Sequence, residues 1–134
     1  MGGMFYNAIV FTGDLSSWNV SSVTDMSDMF YFAKAFNGAL SSWDVSSVTD
    51  MSNMFSFADF FNSDLSSWDV SSVTDMSSMF YYAHTLNRDL CAWADTFPYT
   101  SASNIFAFSG CAFDGTPQFD QRGPFCASVS CTML

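Results

Sequence analysis

Carboxylates, hydroxyls and thiols are the groups present in quantity that could do chemistry, and their spacing suggests which kind. All 13 acidic residues are Asp, and His84 is the single histidine. Asp44 and Asp69 stand in the same string, LSSWDVSSVTD, at residues 40–50 and 65–75. Paired carboxylates invite comparison with glycoside hydrolases, where an acid and a base need different environments. Identical neighbours predict identical environments, so a scaffold role is expected and an enzyme is the least favoured reading. Cys91, His84 and Asp89 form a nominal nucleophile set. However, His84 takes the place of Lys34 and Asp59 in earlier repeats, which marks a variable surface position. No metal or cofactor is expected. The thiols contain no C-x-x-C for zinc, and two Asp with serines fall short of the six or more oxygens calcium prefers.

Cys91, Cys111, Cys126 and Cys131 all lie near the C-terminus. An even number confined there points to two disulfides and an oxidising compartment. Four cysteines allow three pairings, which sequence cannot decide. The favoured one is Cys91–Cys111 with Cys126–Cys131.

The elements that must position these groups repeat. Trp18, Trp43, Trp68 and Trp93 recur every 25 residues, a period that signals a solenoid. Within residues 36–60, Trp43 and Val45 alternate with Ser42 and Asp44, the period of a strand. Met51, Met54, Phe55 and Ala58 fall at i, i+3, i+4 and i+7, the period of a helix face. Ser47-Val48-Thr49-Asp50 fits a capping box, with Asp25, Asp50 and Asp75 as helix-start charges. Asn37, Asn62 and Asn87 are expected to stack and satisfy turn backbone. The expected fold is therefore an α/β repeat solenoid. It is a leucine-rich-repeat-like right-handed coil, with short parallel strands on one face and short helices on the other.

Residues 1–10 read as a partial repeat, 11–85 as three 25-residue repeats, and 86–134 as a degenerate fourth repeat with a cysteine-containing cap. Met4–Ala8 matches Met29–Ala33, so the chain is expected to open in mid-repeat, as a fragment would. No signal peptide is legible. Self-association through the N-terminal end is expected.

The outward strand positions Ser17, Asn19, Ser42, Asp44, Ser67 and Asp69 are the candidate binding stripe, because repeat arrays bind on such faces. Asn19-Val20-Ser21 is also a glycosylation sequon. With a net charge of −10 and only Lys34, Arg88 and Arg122 as basic residues, the chain has no footprint for nucleic acid or anionic lipid. No apolar run is long enough to span a bilayer.

The string at residues 40–62, L-S-x-W-D-V-S-x-V-x-x-M-x-x-M-F-x-x-A-x-x-F-N, resembles the repeats of BspA-like leucine-rich-repeat surface proteins. The likeness runs from about Met4 to Gly110, and the tail from Cys111 to Cys131 resembles the closing segment of marine algal members. The resemblance implies a secreted or cell-surface binding module without catalytic residues. The expected function is recognition or adhesion, with a protein or glycan partner. A structural or ice- and water-ordering surface is the alternative, and a glycan-degrading fragment comes last.

Overall fold

A run of tight turns shapes each repeat. The computed structural model describes residues 1–132. In the repeat around Trp43, backbone N–H groups of Trp43, Val48, Met54, Ala58 and Phe61 donate to the carbonyls of Leu40, Val45, Met51, Phe55 and Ala58, three residues back, at 2.9–3.3 Å. The turns Met51–Met54 and Phe55–Ala58 carry positive φ at their third residues, Asn53 (55°) and Phe57 (59°). That is the type II turn, whose third residue must be left-handed. The same pair recurs with Asp28 and Phe32, Ser78 and Tyr82, and Asn104 and Phe108.

This geometry overturns the expected α/β solenoid. Among the described residues the helices are two three-residue 3-10 turns, Cys91–Trp93 and Phe119–Gln121. Pairing consists of isolated bridges, such as Asp25 with Asp50 and Asp50 with Asp75. The leucine-rich-repeat-like layering of strands and helices does not form. The chain is a small, disulfide-stabilised fold made mostly of turns and loops. The physical reason lies in the apolar spacing. Residues at i, i+3, i+4 and i+7 point one way on a helix, but they also mark the corners of consecutive turns. A left-handed residue inside each turn prevents the helix from propagating.

Alternate amides stitch one repeat to the next. Met51, Asn53, Phe55 and Phe57 donate to the carbonyls of Asp75, Ser77, Met79 and Tyr81 at 2.8–3.0 Å. The amides between them close the turns, so the backbone is satisfied without regular elements. Side chains add to the stitching. The indole N–H groups of Trp43, Trp68 and Trp93 donate to the carbonyls of Leu15, Leu40 and Leu65 (2.9–3.1 Å). The carboxamide oxygens of Asn37, Asn62 and Asn87 accept the amides of Asn62, Asn87 and Ala112 (2.8–3.1 Å).

The interior is a column of like residues. Phe5, Phe30, Phe55, Phe80 and Phe106 stack with centroids 5.3–5.9 Å apart. Met26, Met29, Met51, Met54, Met76 and Met79 are fully buried around them.

Residues after Gly110 fold back over the last repeat. Phe125 is fully buried, edge-on to Phe97 at 5.0 Å. Asp95, at a place where the repeat has a core Val, turns outward and pairs with Arg122 at 2.8 Å. The disulfides are Cys91–Cys131 and Cys111–Cys126, which corrects the favoured pairing. Cys126 bridges to both Asp89 and Phe113, and the Phe113 amide donates to its carbonyl at 3.0 Å. That contact carries Cys126 to Cys111 and leaves Cys131 to meet Cys91.

Candidate functional site

The six stripe residues Ser17, Asn19, Ser42, Asp44, Ser67 and Asp69 are all exposed. They occur at equivalent positions of successive repeats, but on turns and not on strands. Two serines hold the stack together. Ser42 Oγ donates to the Ser16 carbonyl at 2.9 Å, and Ser67 Oγ to the Ser41 carbonyl at 3.1 Å.

The acidic members close local Asx turns. Asp44 Oδ1 accepts the Ser46 amide at 3.0 Å and its hydroxyl at 2.6 Å. Asp69 Oδ1 accepts the Ser71 amide at 3.0 Å. Asn19 Oδ1 accepts the amide and hydroxyl of Ser21 at 3.1 and 2.7 Å, so the sequon closes on itself. The serine hydroxyls, then the serine amides, hold the Asp44 and Asp69 carboxyls below the usual range. The Asp44 charge pushes Asp69 slightly the other way, so the two carboxylates sense each other across one repeat. Oδ2 of each has no partner among the described residues.

Asp25, Asp50 and Asp75 are not helix-start charges, because no helix follows them. Each accepts the amide and hydroxyl of the serine two residues on, at 2.6–2.9 Å. The capping box expected at Ser47-Val48-Thr49-Asp50 likewise has no helix to cap, and the Thr49 hydroxyl donates to the Thr24 carbonyl at 3.1 Å.

A feature that sequence reasoning missed lies at the junction with the cap. Asp64, Ser66, Arg88, Asp89, Cys91 and Ala92 line an open depression of about 420 Å³. Next to it, a second depression of about 470 Å³ runs from Asp89 along the Cys91–Cys131 disulfide to Ser128 and Thr132. Arg88 is held there by its Nε bond to the Asn62 carbonyl at 2.7 Å. The available signal was the column Asp14, Asp64 and Asp89, spaced by multiples of the repeat. The nominal nucleophile set is not assembled, because Cys91 is in a disulfide and His84 Nδ1 lies 3.2 Å from Asp59. Among the described residues no three His, Cys, Asp or Glu side chains gather to hold a metal ion. No helix among them is long and apolar enough to cross a membrane.

Comparison with known proteins returns no matching curated protein and no matching solved structure. A family model does match, and it covers residues 1–119. On that match the chain belongs to the family described as "Mycoplasma protein of unknown function, DUF285".

Proposed function

We propose that this chain is a recognition or adhesion module that works outside the cell or at its surface, binds protein or glycan, and carries out no catalysis. The carrying observation is sameness. Asp44 and Asp69 sit in equivalent Asx turns, both exposed, both lowered by the serine two residues on. An acid–base pair needs its two carboxyls pushed apart, whereas a display surface needs equivalent groups repeated. The two disulfides fit an oxidising compartment. The likeness of residues 40–62 to BspA-like surface-protein repeats supports the same location.

Immobilised protein tested against a glycan array and cell-surface extracts should retain a ligand, and Asp44→Ala/Asp69→Ala should lose it. Equal retention by that variant would reject the stripe as the binding surface. Sugar-polymer turnover abolished by Asp44→Asn would replace the module reading with an enzyme.

A further inference from the structure

Phe32, Phe57, Tyr82 and Phe108 occupy one position in four successive repeats. Their rings stack face to face, with centroids 4.4, 5.1 and 4.8 Å apart. The rings of Tyr31 and Tyr81 stand edge-on to Phe57 at 5.7 Å. All four ladder residues have φ between 57° and 59°. Bulky side chains enter this left-handed region at a cost, and Asn or Gly enters it readily. The equivalent residue of the first repeat is Asn7, at φ 59°. Local backbone geometry therefore favours Asn, and the rings answer a different requirement. They stay at the surface: three are half-buried, Phe108 is 58% exposed, and nearby Phe60 is 62% exposed.

We infer that this aromatic ladder is a docking surface for a second copy of the chain. Two observations select that occupant. Rings stacked on each other present their edges outward, repeating every 4.4–5.1 Å. A surface that meshes along the whole row must have the same period, and another ladder has it, as in side-chain zippers. Charge is the second. Each copy carries −10, so most pairs of faces repel. Beside the ladder, Lys34 and His84 both lie against Asp59, at 3.9 and 3.2 Å, and Lys34 sits 5.8 Å over the Phe32 ring. Lys34 and Asp59 cancel, so two copies can approach there with less repulsion. A glycan would seek ring faces, and between the four rings these are already covered. Two ladders related by a twofold axis make a self-complementary contact. The inference stands apart from the recognition reading, because the Asp44/Asp69 stripe uses other residues.

Sedimentation velocity on the full, disulfide-intact chain tests it. The weight-average sedimentation coefficient should rise with protein concentration, and rise further with added salt as repulsion is screened. Phe57→Asn/Tyr82→Asn removes two rings and suits the left-handed backbone, as Asn7 does. It should keep its fold by circular dichroism and weaken association by about tenfold or more, as loss of central interface aromatics does. Phe60→Lys, at an exposed position, should weaken association too, and it decides the matter if the double variant does not fold. A wild-type chain that stays monomeric throughout would overturn the inference. So would association that falls with salt, or that both variants leave unchanged.

Discussion

At the scale of single residues, the tryptophans do more than fill space. Trp68 is 4% exposed, and its indole N–H satisfies the Leu40 carbonyl of the preceding repeat at 2.9 Å. Trp68→Phe keeps an aromatic ring but removes that bond and leaves the carbonyl with the Trp43 amide alone, which costs about 0.5–1.5 kcal/mol. A urea titration should show the loss, while Trp18→Phe, at a position 38% exposed, should shift the midpoint much less. Asp28 is a second revealing residue. It occupies the left-handed turn position that Asn53 and Asn104 fill in other repeats. Burial, then the charges of Asp50 and Asp25, raise its carboxyl above the usual range, against a bond from Asn53. A carboxyl raised by folding opposes the fold once ionised; that opposition fades as pH falls from its raised native value to its unfolded value and is gone below it. Asp28→Asn should therefore raise the thermal midpoint at pH 7 more than at pH 3, a comparison calorimetry can make.

At the scale of elements, the repeat and its partners were legible and its backbone was not. The 25-residue period, the Asn column and an even cysteine count pointed to contacts that the structure contains. The helix reading failed because Met51, Met54, Phe55 and Ala58 serve as turn corners as well as they would serve a helix face. The missed signal lay inside about half of these turns: Gly3, Asn7, Asp28, Asn53 and Asn104 are types that tolerate positive φ, whereas Phe32, Phe57, Tyr82 and Phe108 gave no such sign. The local bonds of the Asp residues were legible too, because D-x-S at 44–46 and 69–71 is the pattern of an Asx turn. This has a pH consequence. Asp14, Asp44 and Asp69 are held below 3.8 by the hydroxyl and then the amide of Ser16, Ser46 and Ser71. Carboxyls lowered by folding support the fold above their unfolded value, and that support disappears as pH falls through the lower native values. Ser46→Ala should return the Asp44 titration toward the ordinary range, read by NMR of its carboxyl carbon. The effect on global stability should be small, because the group is fully exposed.

For the whole molecule, the question is how the stack is closed at its C-terminal end. Gly110 marks the junction. Its amide donates to the Ala83 carbonyl at 3.0 Å, and a Cβ there would collide with the His84 carbonyl. Beyond it, Phe125 covers Phe97, and the chain is tied back by Cys111–Cys126 and Cys91–Cys131, separated by 15 and 40 residues in sequence. Closing loops of those lengths stabilises by about 3–4 kcal/mol each in the chain-entropy picture. The stack itself rests on bonds between neighbouring repeats that involve no cysteine. Reduction should therefore act from one end. Residues 111–132 should lose amide-exchange protection first, then the Trp93 repeat, while amides such as Phe30 and Phe55, which donate to Met54 and Met79 at 2.8 Å, stay protected longest. Gly110→Ala should produce the same end-first pattern without any reductant, at a cost of about 1–3 kcal/mol from overpacking. Hydrogen exchange read by mass spectrometry distinguishes this from the alternative. If protection in residues 26–86 fell together with that of the cap, the molecule would be one cooperative unit and the cap would be holding all of it.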